Sequence, residues 1–152
     1  MNSNNGHYTA SHQQLRPESI SVFIEGINLI LSRWIGLQLA IKNEWSGRDS
    51  RQKSEQFVND IFSWFSLSKV PLYVDDLEHM LDEKMLLTFN TEIDDGSIEE
   101  VAEELIIVYE DCLQGSHESV EKLRKSNSGA EFVSQHKQAS IYTLSYYYST
   151  RI

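Results

Sequence analysis

The sequence predicts an all-α protein: a single compact helical domain of about five helices with disordered termini. Three observations predict it. Seven glycines and two prolines in 152 residues leave long uninterrupted segments. Those segments are rich in Glu, Leu, Ile and Lys, and their apolar residues recur at spacings of three and four. Residues suited to capping stand where the periods begin and end. At this length and with 40% hydrophobic residues, folding buries roughly two-thirds of the unfolded chain's surface, which suits one core rather than two.

The first period starts at Pro17, a good first-turn residue, with Glu18 beside it to complement the helix N-terminus. Ile20, Phe23, Ile27, Ile30, Trp34, Leu37 and Ile41 share one face, and Ile24, Leu31, Ile35 and Leu39 widen it. Ser21, Glu25, Asn28 and Ser32 form the polar stripe. This predicts one long central helix, ended by Gly47 in a left-handed conformation. Trp34 belongs to the apolar stripe, and Trp45 packs back at the reversal. Asp49 or Ser50 caps a second helix, about Asp49 to Ser66, with Phe57, Ile61, Trp64 and Phe65 at helical spacing.

Pro71 keeps Val70 out of the helical region, so the second helix stops before it. Asp75 or Asp76 then caps a third helix carrying Leu77, Met80, Leu81, Met85 and Leu86 inward. Ser97, with Glu100 three residues on, reads as a capping box for a fourth helix with Ile98, Val101, Leu105 and Val108 or Tyr109 inside. Gly115 stops it, and Ser116 opens a short fifth helix with Val120 and Leu123 inward. Residues 1–17 read as a polar disordered lead, 18–125 as the helical domain, and 126–152 as a mostly disordered tail.

Catalytic chemistry finds little support. The five histidines have no paired metal-ligand spacing, and Cys112 has no second cysteine to form a zinc clasp or a disulfide. The stretch "TEIDDGSIEEVA" fails as a calcium loop because Thr91, Ile93 and Ala102 fall where oxygen ligands are required. No glycine series cradles a phosphate, and no serine sits in a nucleophile elbow. The expectation is a protein that is not an enzyme, with no metal and no cofactor. A membrane partner is not expected either, because Val22 to Ile41 is interrupted by Glu25, Asn28, Ser32, Arg33 and Gln38.

Charge is the informative feature. The chain carries a net −10, and between Asp75 and Asp111 fourteen acidic residues face one basic residue, Lys84. A field of that sign repels nucleic acid and attracts cationic partners, so no direct nucleic-acid contact is expected. The candidate partner-binding residues are Asp75, Asp76, Glu78, Asp82 and Glu83, with Glu92, Asp94, Asp95, Glu99, Glu100, Glu103 and Glu104.

The block "LSRWIGLQLAIKNEWSGRDS", followed by "QKSEQFVNDIFSWF" and the acidic segment from Asp75 to Cys112, resembles the WGG-repeat pre-rRNA-processing proteins, the family named for twenty-S rRNA accumulation. The likeness runs from about Phe23 to Leu123. Trp34, Leu37, Leu39, Ala40, Ile41, Trp45 and Gly47 match the family's block, while Ser46 stands where its first closing glycine would be. The resemblance implies an escort chaperone for a newly made basic, zinc-binding small-subunit ribosomal protein of the S twenty-six type. It implies delivery to pre-ribosomes, in the nucleus and nucleolus as well as the cytoplasm, in support of small-subunit rRNA maturation. The matching motif residues read as mainly structural. Relatives often continue into an acidic extension, whereas after Lys125 this chain has Glu131 against Lys137 and Arg151. A general acidic adaptor or nucleic-acid mimic, masking a basic surface of another protein, is the alternative of a different class.

Overall fold

Among the described residues six helices follow one another: α1 Pro17–Ser32, α2 Ile35–Lys42, α3 Ser50–Leu67, α4 Val74–Leu87, α5 Ser97–Leu113 and α6 Glu118–Asn127. The computed structural model describes residues 14–68 and 71–127, and no strand occurs among them. The disorder expected for the polar lead and the tyrosine-bearing tail, like the conformation expected of Val70, lies outside the described residues. No single helix among the described residues is long and apolar enough to cross a membrane.

The predicted central helix is two helices. α1 ends at Ser32, and α2 leaves at 77° to it, so the described residues hold six helices where five were expected. Trp34 is extended (φ −83°, ψ 100°), and the last α1 turn tightens through Arg33 N–H to Ile30 O and Trp34 N–H to Leu31 O, both 3.1 Å. The broken ladder is repaired by Gln38, whose Nε2 donates to Leu31 O at 2.9 Å. The bend lays α2 against α3 and leaves Leu37 and Ala40 without solvent contact, burial that a straight helix running past the core would forgo. Apolar spacing continues unchanged across the break, so periodicity does not reveal it.

The helix ends also differ from the expectations. α2 closes with Glu44, not Gly47, in the left-handed conformation (φ +54°). Glu44 N–H donates to Ile41 O at 3.1 Å and Trp45 N–H to Ala40 O at 3.0 Å, the paired bonds of a Schellman motif. Gly47, at φ +109°, belongs to the next turn and occupies a conformation that a side chain would strain. Asp49 sits at the α3 N-cap without a capping bond and pairs instead with Lys53 at 3.4 Å, while Ser50 Oγ donates to Gly47 O. Tyr73 occupies the α4 N-cap, which places Asp75 and Asp76 in the first turn, where carboxylates still complement the helix dipole. α5 ends as expected near Gly115 (φ +80°), whose N–H bonds Cys112 O while Ser116 N–H bonds Asp111 O.

Two aromatic groups make the centre of the core. Phe23 meets Phe65 edge-on at 5.2 Å and Tyr109 at 5.1 Å, and Phe57 lies between Trp34 at 6.5 Å and Phe89 at 5.6 Å. α1 packs on α5 and α6, and α4 lies on α5. Gly26 permits the close α1–α5 approach, because a Cβ there would sit 2.8 Å from Val108 Cγ1. Leu77, Leu81 and Met85 are buried, but Leu86, expected inside, is 40% exposed because it follows Met85 onto the outer side of α4.

A carboxylate groove between α4 and α5

Asp75, Glu78, His79 and Asp82 recur along α4 at spacings of three and four and so fall on one face. Opposite them stand Asp94 and Gly96 of the α4–α5 loop and Ile98 and Glu99 at the start of α5. Together with the buried Ile93 they line an open groove of about 390 Å³. Five carboxylates from three segments thus share one concavity with an apolar contribution from Ile93 and Ile98. Crowding is evident at Glu78. Its carboxyl is pushed above the ordinary carboxylate value, first by loss of surrounding water and then by the like charges of Glu99, Asp75 and Glu103.

The local fold sets this geometry. The capping box expected of Ser97 and Glu100 is not formed: Gly96 is the N-cap (φ +82°), and the Ser97 N–H donates instead to Asp95 Oδ1 at 3.0 Å. Ser97 Oγ is left to accept from Trp34 Nε1 at 2.8 Å. The tryptophan at the α1–α2 break is therefore tied to the first residue of α5, between groove residues Gly96 and Ile98. Lys84, the one basic residue of the acidic tract, is turned to α3, where it pairs with Asp60 at 3.0 Å.

Of the twelve acidic residues singled out in the sequence, Asp75, Glu78, Asp82, Asp94 and Glu99 line the groove, with Glu103 close enough to act on Glu78. Asp76, Glu83, Glu92 and Glu100 are exposed outside the lining, Glu104 is half-buried, and Asp95 is engaged in capping. His79, Ile93 and Ile98 are groove residues that reasoning from charge alone does not select. The helical spacing of Asp75, His79 and Asp82 is the signal that places His79 there. Among the motif residues, Trp34, Leu37 and Ala40 are buried, Leu39 and Trp45 half-buried, and Gly47 exposed in its turn.

Fold and groove together define an all-α domain with a segregated acidic face. The family model described as pre-rRNA-processing protein TSR2 matches residues 23–103. A TSR2 homolog of Danio rerio is 33% identical over 114 residues, which cover 71% of this chain and 62% of that protein. The TSR2 of Saccharomyces cerevisiae is 32% identical over 100 residues, 64% of this chain and 47% of that protein. The solution structure of yeast TSR2(1-152) superposes with a TM-score of 0.64 at 28% identity, covering 73% of this chain and 70% of that one. The chain belongs to the TSR2 pre-rRNA-processing family. It spans about half to three-fifths of the length of the relatives it matches.

Proposed function

We propose that this chain acts in pre-rRNA processing as an acidic escort, binding a newly made basic small-subunit ribosomal protein of the zinc-binding S twenty-six type and carrying it from cytoplasm to nuclear and nucleolar pre-ribosomes. One observation carries the reading: five carboxylates converge on the α4–α5 groove while the only lysine of that tract is held away by Asp60. A basic protein destined to neutralise RNA phosphates needs its cationic side chains covered until delivery, and carboxylates cover them with pairs that remain exchangeable. Ile93 and Ile98, 9% and 8% exposed, floor the groove between the charged positions, so what it offers a partner is mainly ionic and is screened by salt. Family membership supports the setting in ribosome assembly.

Affinity capture of the tagged chain from cells, followed by mass spectrometry, tests the proposal. One small basic ribosomal protein should dominate, and its recovery should fall when Asp75, Glu78 and Glu99 are replaced by Asn, Gln and Gln. Recovery of many unrelated basic proteins in similar amounts would instead favour a general acidic adaptor.

A further inference from the structure

A second concavity lies at the α2–α3 corner and shares no lining residue with the acidic groove. Gln38, Ile41, Lys42, Glu44, Arg48, Ser50 and Arg51 enclose about 340 Å³. Lys42, Arg48 and Arg51 are exposed, and none of the three makes an ion pair among the described residues. Against them stands one carboxylate, Glu44, so the lining is net cationic in a chain of net −10. Lys42 ends α2, Arg51 stands in the first turn of α3, and the loop between them that carries Arg48 is fixed from within. Ser46 Oγ and Ser50 Oγ lie 2.7 Å apart, and Lys53 Nζ donates to Ser46 O at 2.8 Å. Three unpaired cations on a braced turn around a concavity form a receptor for an anion.

We propose that the α2–α3 corner contacts the phosphodiester backbone of single-stranded RNA through Lys42, Arg48 and Arg51. Two of the three cations are arginines, whose planar guanidinium matches phosphate oxygens in pairs. Membership of a pre-rRNA-processing family places the chain where RNA is the abundant anion. The total charge argues against any RNA contact, but at physiological salt a screening length of about 8 Å lets separate patches act separately. The inference rests on family membership and on this corner, and not on the acidic groove.

Fluorescence anisotropy of a labelled twelve-nucleotide oligouridylate, titrated with the full chain at salt from about 50 to 200 mM so that the physiological value is bracketed, tests it. Neutralising the corner with K42Q, R48Q and R51Q should weaken binding at least about tenfold. It should also flatten the dependence of log affinity on log salt from a slope near −2, as expected for about three neutralised phosphates on a single strand, towards zero. Because three changes in one turn risk the fold, E44Q serves as the opposite arm: removal of the lone carboxylate should tighten binding about two- to fivefold. Unchanged affinity in the triple variant, weaker binding in E44Q, or no measurable wild-type binding would overturn the proposal. So would tighter binding of a polyglutamate of equal length, which would mark the corner as a site for acidic peptide. Replacing Asp75 and Glu99 by Asn and Gln should leave the RNA slope in place, so failure at this corner leaves the escort reading untouched.

Discussion

Trp34 fills the space beside Phe57 and directs its only polar atom at Ser97 Oγ, 2.8 Å away and sixty-three residues on in the chain. With the ring 3% exposed, Trp34→Ala should cost about 3–5 kcal/mol, most of the stability of a marginal domain. A milder pair of variants separates packing from the hydrogen bond. Ser97→Ala strands a buried N–H and should cost about 1–3 kcal/mol, yet nearly nothing once Trp34→Phe has removed that donor. Urea denaturation of the four proteins in this cycle measures the coupling, and additive costs would show that the bond contributes nothing. Gly26 gives a second check. Alanine there gains about 1 kcal/mol in helix propensity, but its Cβ would meet Val108 at 2.8 Å and Val120 at 3.3 Å, both buried. Overpacking of about 1–3 kcal/mol should win, lowering the melting temperature of Gly26→Ala. A melting temperature at or above wild type would mean that α1 and α5 separate easily.

At the scale of elements, the α4–α5 groove sets binding against stability. Glu78 has its folded-state pKa raised, so its contribution to stability is present below the unfolded value and lost as pH rises through the folded one. Glu78→Gln should therefore raise the melting temperature at pH 7 and weaken a cationic partner, opposite movements that a merely structural glutamate would not produce. α6 behaves in the other direction. Arg124 donates from Nε and Nη2 to both oxygens of Glu25 on α1, at 2.7 Å each, and from Nη1 to Glu121 at 2.7 Å. The hydrogen bonds from Arg124, more than its charge, hold the Glu25 carboxyl below its ordinary value of 4.5. That support is present above the unfolded pKa and is lost as pH falls below about 4.5 through the folded one. Amide exchange in α6 should accelerate there before the α1 and α5 amides do, and Glu25→Gln should abolish the difference. The existence and type of these elements were legible from apolar spacing, but their joints were not. The bend at Trp34 preserves that spacing, and the residues with cap-like identities, Asp49, Ser50 and Ser97, bond elsewhere because a lysine, a turn carbonyl and an indole N–H compete for them. The glycine two places after Trp34 was the one local sign of a break, and Gly36 is buried in α2 where the chain restarts.

Across the whole molecule, charge is segregated rather than merely acidic. The tract from Asp75 to Asp111 holds fourteen of the twenty-three carboxylates, and the rest of the chain is net positive, with three unpaired cations gathered at the α2–α3 corner. The sequence made the acidic tract plain, because the count needs no coordinates. Which carboxylates share a groove depended on how α4 lies against α5, and that contact is long-range in the chain, so seven of the twelve candidates fall outside the lining. The most direct measurement of the escort account is titration calorimetry of the purified basic ribosomal protein into wild type and into a variant with Asp75→Asn, Glu78→Gln, Glu99→Gln and Glu103→Gln. Salt should be varied from about 0.05 to 0.5 M, over which the screening length shrinks from above 10 Å to a few ångströms. The account predicts that the folded variant binds roughly ten- to several-hundred-fold more weakly at low salt, and that the two proteins converge as salt rises. Equal affinity of the two at low salt would contradict it and place the docking surface away from the α4–α5 groove.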